Sequence, residues 1–239
     1  MLSIVIPAHD EERRIEPMLR RLRAEFPDDE IIVVANACTD STADIVGSMA
    51  AGDPGLRLID LAARLGKGGA VRLGFQEAKG DIVAFVDADG ATPPNELRRL
   101  IAQVGDADCV IASRWAAGAT VLVRQTPLRR FLGRGFNLIV RLLFGLRFTD
   151  TQCGAKIFKR AAIEQIIEDV ETADFAFDVD LLFELQRRGR VIREVPTVWR
   201  DRAGSKVNVI ATAPKMLASI IRAVCCSWKT RIGPSGTAG

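Results

Sequence analysis

Residues 81–90 read DIVAFVDADG. An apolar run rich in β-branched and aromatic side chains stops abruptly at Asp87-x-Asp89-Gly90, as a buried strand does where it reaches the edge of its sheet. Residues two apart on an extended segment point the same way, so Asp87 and Asp89 share one side. Two such carboxylates repel unless a cation lies between them. Mg²⁺ or Mn²⁺, held by one or two carboxylates together with phosphate oxygens, is the natural occupant. A polar turn closing the strand would use the same residue types.

Working outward, the same strand–helix unit recurs on both sides. Before it come strands SIVIPA (3–8), IIVVA (31–35) and LRLIDL (56–61). Helical periodicity follows each, over Glu11–Glu25, from an N-cap at Asp40 or Ser41 to about Ala50, and over Gly68–Ala78. After it come a helix over Pro94–Val104, with proline in its first turn, and strand DCVIAS (108–113). This alternation predicts an α/β fold with a mostly parallel central sheet flanked by helices and right-handed crossovers. Beyond Ser113 the pattern breaks, then resumes with strand AKIFKR (155–160), helices Ala161–Asp169 and Phe177–Arg188, and strand VIREVPTVWR (191–200). In open α/β sheets ligands sit beyond the carboxyl ends of the strands. Those ends carry Pro7 to Glu11, Asn36 to Asp40, Arg64 to Gly69, Asp87 to Asp89 and Ser113-Arg114, a rim suited to a nucleotide and a metal.

The chain has 239 residues, 48% hydrophobic and 26% charged, enough for one core of about 200 residues without staples. Its five cysteines (38, 109, 153, 225, 226) include no CxxC pair, and His9 is the single histidine. A zinc module and a disulfide-built secreted domain are therefore not expected, and the thiols read as reduced and cytoplasmic. The opening MLSIVIPAHD is too short for a signal peptide, and no run of about 18 uncharged apolar residues predicts a spanning helix.

The net charge of +3 hides a strong asymmetry. Residues 109–149 and 202–239 contain thirteen Lys and Arg and no acid, which leaves the rest of the chain at −10. Such imbalance points to a polyanionic partner. In PLRRFLGRGFNLIVRLLFGLRF, Arg130, Arg134 and Arg141 share a helical face, with Leu128, Phe131, Leu132, Leu138, Leu142 and Leu143 filling the remainder. Lys215, Arg222 and Lys229 recur every seven residues in a second amphipathic helix over 208–230. Basic, apolar helices of this kind suit a membrane interface. Leu and Phe between the arginines argue against nucleic acid, while a core helix with one solvated face remains the plainer alternative for either segment.

Three further patterns are weaker. Gly66-Lys67-Gly68-Gly69 opens a helix, where free N–H groups favour an anion, although a simple turn reads the same; neither the P-loop nor the dinucleotide fingerprint fits. His9 and Cys38 both fall on the rim without the local context of a Cys–His hydrolase. Arg202-Ala203-Gly204-Ser205-Lys206 suits phosphate capture or an exposed basic loop. Residues 231–239 read as a disordered tail.

Taken together, IVIPAHDEE, VVANACTDST, GKGGAVRLGF, VDADGAT, ASRW, DTQCGAKIFKR, FAFDVDLL and GSK, in that order, resemble the family 2 glycosyltransferases of GT-A fold. They are most like the dolichyl-phosphate β-glucosyltransferases, with the polyprenyl-phosphate mannosyltransferases as near relatives. The resemblance covers residues 1–207 and implies a nucleotide-diphospho-sugar transferase fold. It implies that Pro7, Ala8, Glu11, Asn36, Asp40, Lys67 and Ala88 line the nucleotide-sugar site and that Asp87 and Asp89 hold Mg²⁺ or Mn²⁺. Arg114, Arg202, Ser205 and Lys206 would receive the acceptor phosphate, and Asp150, Gln152 and Gly154 would wall the sugar pocket. Asp178 falls where many members keep a catalytic base; with Asp89 and Arg114 it completes the implied catalytic set. The implied reaction is inverting transfer of a hexose to a polyprenyl phosphate at the cytoplasmic membrane face, from UDP-glucose in preference to GDP-mannose; a family 2 glycosyltransferase with a soluble acceptor is the alternative, in which the basic segments are core helices. Positions 35 and 36 are Ala and Asn where many relatives have two Asp, and His9 replaces a usual Tyr. Many relatives begin with a membrane helix, whereas this sequence starts at its first strand, so peripheral attachment would rest on the basic amphipathic segments at 124–147 and 208–230.

Overall fold

Hydrophobic side chains on both faces set the first strand, β1 (Leu2–Ala8): Ile4, Ile6 and Ala8 enter one core and Val5 the other. The same alternation runs through β2 (Glu30–Asn36), where Ile31 and Val33 oppose Ile32 and Val34. In a computed structural model the described residues are 1–123, 127–170, 172–173 and 176–200. The expectations for Arg124, Arg202, Ser205, Lys206, the 208–230 helix and the 231–239 tail lie outside them.

After β1 and β2 come β3 (Leu56–Leu61), β4 (Ile82–Val86), β5 (Cys109–Ser113), β6 (Thr120–Val123), β7 (Ala155–Lys159), β8 (Ile192–Pro196) and β9 (Val198–Arg200). The helices are α1 (Ile15–Glu25), α2 (Thr42–Ala50), α3 (Gly66–Glu77), α4 (Pro94–Ile101), α5 (Pro127–Phe144), α6 (Arg160–Glu164) and α7 (Phe177–Arg187). Seven strands form one sheet in the order β3-β2-β1-β4-β7-β5-β8, and β6 pairs with β9 in a second. All neighbours in the large sheet are parallel except β7, which runs antiparallel to both β4 and β5. One core contains side chains of α1 and α4, and the other contains side chains of α3, α5, α6 and α7. The expected mostly parallel, doubly covered sheet is the one observed.

Three elements differ from expectation. Residues 191–200 form two strands, because the chain leaves the large sheet after Pro196. There Thr197 N–H donates to Ser113 O, while the Thr197 hydroxyl and Val198 N–H donate to Glu96. The helix expected over Ala161–Asp169 is regular only to Glu164; the N–H groups of Ile166 and Asp169 turn to carbonyls three residues back. Ile163, Ile166 and Ile167 are β-branched and stiff there, and all three are buried. Strand β6 carried no recognised signal.

Helix α3 lies close on β1, and Gly74 sets the separation. A Cβ built there would fall 2.2 Å from Val5 Cγ1, well inside contact distance. Gly74→Ala is therefore expected to lower the unfolding free energy by about 1–3 kcal/mol through overpacking, read as a shifted urea midpoint. An unchanged midpoint would mean that α3 sits farther from the sheet.

Candidate active site

Parallel order brings the carboxyl ends of β1, β2, β3, β4 and β5 to one edge. Antiparallel β7 brings its beginning to that edge, so residues 150–154 face the exit of β4. Asp87 N–H donates to Gly154 O at 3.0 Å, and Gly90 takes φ +66° to turn the chain away. The contact explains the glycine at 154: a Cβ there would lie 1.8 Å from Asp87 Oδ2. Asp89 Oδ1 accepts from Ala91 N–H at 2.9 Å. Burial first, and then the charge of Asp87, push the Asp89 carboxyl up to about 6, against the pull of Arg14 and Lys67. A carboxylate pair in which burial and the neighbouring charge oppose ionisation of Asp89 fits a divalent cation, which would relieve that cost.

Asp87 Oδ1 is clasped by Lys67 Nζ at 2.8 Å. The same ammonium lies 3.5 Å from Asp178 Oδ2, and Asp178 Oδ1 accepts from Lys156 Nζ at 2.6 Å. Lys156 is completely buried, on a strand otherwise apolar around it, and also donates to Cys153 O. Both ammoniums stand over the Phe85 ring, 5.4 and 5.3 Å from its centroid. Burial alone would raise the Asp178 carboxyl, but Lys156 and Lys67 beside it hold it below the usual carboxylate range. Burial likewise would lower the Lys67 ammonium, and Asp178 and Asp87 outweigh it and raise it. Asp178 is thus an ionised anchor between two cations, displaced away from the near-neutral pKa that suits a general base. Lys156, the fourth member of this row, went unrecognised in the sequence. Its signal was a lysine in the middle of the apolar strand AKIFK.

Arg114 sits where β5 ends, and its guanidinium is spent on a carboxylate. Nε and Nη2 donate to Asp150 Oδ2 and Oδ1 at 2.7 and 2.8 Å, and Arg114 N–H adds a third bond to Oδ2. The guanidinium packs 5.4 Å from the Trp115 ring and 5.2 Å from Trp199. Burial of Asp150 would raise its carboxyl, yet Arg114 holds it low. Glu194 of β8 fixes this corner by accepting from Thr149 and Asp150 N–H. Asn137 of α5 donates to Thr149 O and accepts from the Thr151 hydroxyl. Gln152 is half-buried beside it.

The β1 and β2 ends are braced by their own residues. Asn36 donates to Gly66 O at 3.0 Å and accepts from Leu65 N–H at 2.8 Å, so its amide pins the start of α3. Asp40 accepts from Thr42 N–H and Glu12 N–H and so ties the β1 loop to the start of α2, whose N-cap position is Ser41, with no side-chain cap bond. Glu11 pairs with Arg14 at 2.6 Å; Ala8 and Ala88 are buried and Pro7 is half-buried. The Gly68 and Gly69 amides of the GKGG segment both donate to Ala173 O, at 2.9 and 3.4 Å, so these N–H groups are not presented to an anion. Beside Asp89 a cleft of about 370 Å³ runs between α1 and α4, walled by Arg13, Arg14, Arg21 and Arg200, none of which stood out in the sequence.

Residues 3–167 match the model of glycosyl transferase family 2. The chain is 34% identical over 222 residues to a dolichyl-phosphate β-glucosyltransferase of Trichomonas vaginalis, a match covering 87% of this chain and 66%, just under two thirds, of that protein. It is 32% identical over 202 residues to an undecaprenyl-phosphate mannosyltransferase of Micrococcus luteus, with 83% of each covered. Glucosyl-3-phosphoglycerate synthase of Mycobacterium tuberculosis, solved with Mn²⁺, uridine diphosphate and phosphoglyceric acid, superposes with a TM-score of 0.67 at 19% identity, over 93% of this chain and 78% of that one. That likeness establishes the GT-A fold.

The raised Asp89 carboxyl has a measurable consequence. An unfolded Asp ionises near pH 3.9, so the folded chain binds the proton more tightly. The stability this gives is complete below about pH 4 and is lost as pH rises through about 6. Without divalent cation, Asp89→Asn is expected to be more stable than the parent by about 1–3 kcal/mol at pH 8 and equal to it at pH 4. Urea titrations at the two pH values read this directly, and Mg²⁺ or Mn²⁺ should stabilise the parent alone. A difference independent of pH would place the cost elsewhere.

Proposed function

Because the chain belongs to glycosyl transferase family 2, we propose that it transfers a hexose from a nucleoside-diphosphate sugar to a polyprenyl phosphate, with inversion at the anomeric carbon. UDP-glucose is the preferred donor over GDP-mannose, in keeping with the dolichyl-phosphate β-glucosyltransferase relatives. The observation that carries the reading is the Asp87–Asp89 pair at the sheet edge, with Gly154 making room for one carboxylate and Lys67 clasping it.

Asp87 and Asp89 would hold Mg²⁺ or Mn²⁺, whose chemistry is to neutralise a departing diphosphate. The other residues act by placement and charge. Asp178 and Lys156 keep Lys67 extended and charged at the diphosphate end. Pro7, Ala8 and Glu11 border the nucleotide, while Asn36 and Asp40 support its pocket through the starts of α3 and α2. Asp150, held by Arg114, with Gln152 and Gly154, walls the sugar. A phosphate acceptor is already ionised near neutral pH and needs no strong base, which agrees with the charge state of Asp178. Arg202, Ser205 and Lys206, with the third nitrogen of Arg114, receive the acceptor phosphate. Two anionic substrates brought together repel, and the arginine-walled cleft beside Asp89 opposes that repulsion.

Membrane attachment is supported by α5. Val140 and Phe144 enter the core, whereas Leu138, Ile139, Leu142 and Leu143 form an exposed ridge, Leu142 being 76% exposed. Arg134 is exposed beside them. An apolar ridge flanked by arginine suits an anionic lipid surface, where a core helix would have its leucines inside. Among the described residues no helix is long and apolar enough to cross a membrane.

The test is sugar transfer into an organic-extractable product, with UDP-glucose and GDP-mannose in parallel. UDP-glucose with Mg²⁺ or Mn²⁺ should label the lipid and EDTA should stop it; metal-dependent labelling from GDP-mannose alone would make the mannosyl reading correct. Asp89→Ala should lower transfer by about three orders of magnitude or more with the fold intact, since several kcal/mol of electrostatic stabilisation are lost. Retained activity would refute the metal role. The parent should float with anionic vesicles and Leu142→Glu/Leu143→Glu should not. A parent that stays at the bottom of the gradient would favour a soluble acceptor.

A further inference from the structure

The loops leaving β1 and β2 bring together three side chains of different chemistry. A ring nitrogen of His9, a carboxylate oxygen of Asp10 and Cys38 Sγ all lie within 4.8 Å of one another. Nothing in the spacing of these residues signals it, because the donors come from two loops about thirty positions apart. Asp10 and Ala37 take φ of +54° and +53°, left-handed values uncommon for residues other than glycine, and these hold the two loops face to face.

The hydrogen bonds around the cluster decide what it presents. His9 Nδ1 lies 2.9 Å from Asn36 O. A carbonyl can only accept, so Nδ1 carries the proton, and in the neutral ring Nε2 is left with its lone pair. Asp10 Oδ1 accepts from Thr39 N–H at 2.7 Å and from the Thr39 hydroxyl at 3.2 Å, and Oδ2 lies 3.8 Å from His9 Nε2. A lone pair therefore faces a carboxylate oxygen, with a sulfur closing the triangle. A ring nitrogen oriented through its other N–H to a backbone carbonyl is how metal-ligating histidines are commonly held.

We propose that His9 Nε2, Asp10 Oδ2 and Cys38 Sγ form a binding site for a thiophilic divalent cation of the Zn²⁺ class, separate from the Asp87–Asp89 site. A mixed N, O and S set suits Zn²⁺ or Co²⁺, whereas Mg²⁺ and Mn²⁺ favour the all-oxygen pair at β4. A tetrahedral ion holds such donors about 3.3–3.6 Å apart, so closure from the observed spacing takes side-chain shifts of about 1 Å or less. The fourth position is left for water. The Cys38 thiol donates to Ala8 O at 3.6 Å; on binding, the S–H bond breaks, the sulfur–metal bond forms, and one proton is released to solvent. Burial raises all three described thiols, but Cys38 is only half-buried and can meet an incoming ion, whereas Cys109 and Cys153 are enclosed in the core. The site stands on the same loops as Pro7, Ala8, Glu11, Asn36 and Asp40. A bound ion there would occupy the base end of the nucleotide site, away from the diphosphate.

The test uses the full chain and the metal alone, so it is independent of the glycosyl-transfer reading. Co²⁺ is titrated in an excess of Mg²⁺ while sulfur-to-cobalt charge-transfer absorption is followed in the near ultraviolet. The parent should gain this band and lose it to added Zn²⁺. Cys38→Ser should bind one Co²⁺ fewer with loss of that band, and His9→Gln should weaken binding at least tenfold, with circular dichroism unchanged in both. No band in the parent would overturn the proposal. Equal stoichiometry and absorption in the parent and Cys38→Ser would overturn it as well.

Discussion

A buried row of alternating charge, Lys156–Asp178–Lys67–Asp87, is the interaction on which the rest of the site depends. Its inner end, Lys156 and Asp178, is buried, and a lone charge there would be untenable. Lys156 is therefore tied to Asp178, and Asp178 to Lys67, which leaves Lys67 no freedom to retreat from the sheet edge. Removing either inner partner would strand the other in the core, a loss of about 3–5 kcal/mol for such pairs. The row joins β7, α7, α3 and β4, so the same charges that organise the edge also lock two helices to the sheet. Stability and polarity are here one arrangement.

The second corner is built on the same principle with different parts. Arg114 and Asp150 neutralise each other between two tryptophans, and Glu194 and Asn137 hold the backbone that carries Asp150. Asn137 stands on the buried side of α5, next in sequence to Leu138 and five residues before Leu142 on its exposed side. The helix proposed to meet the lipid is thus fastened directly to the wall of the proposed sugar pocket. A shift of α5 cannot occur without a response at residues 149–151.

How much of this was legible follows from what each feature depends on. Strands buried on both faces announce themselves as continuous apolar runs, so β1, β2, β4, β5 and β7 were readable, and with them the sheet edge; β3, half-buried at the end of the sheet, was readable from the Leu and Ile of LRLIDL. The Asp87–Asp89 pair was readable because its meaning lies in two residues and one strand. The closing contacts were not, since each joins distant positions: Gly154 with Asp87, Asp150 with Arg114, Lys156 with Asp178. Asn36 shows the limit most plainly. Its place on the rim was foreseen, but its amide turned out to serve the backbone of Leu65 and Gly66, a role that no local pattern specifies. The split between β8 and β9 likewise depends on Glu96 and Ser113, far away in sequence.

The reversed direction of β7 has one more consequence. β5 ends with Ser113 at the same sheet edge as Asp87, and β7 begins there at Ala155 while lying beside it. The intervening chain, with β6 and α5, therefore leaves and re-enters the sheet on the same side. Such an excursion can grow or shrink between its strands without moving any strand of the large sheet in register, provided that Asp150 stays with Arg114 and Gly154 with Asp87. The fold thus has an extensible loop-and-helix segment hung from a fixed edge, where length can be added at the outer end while the residues at its root hold their places.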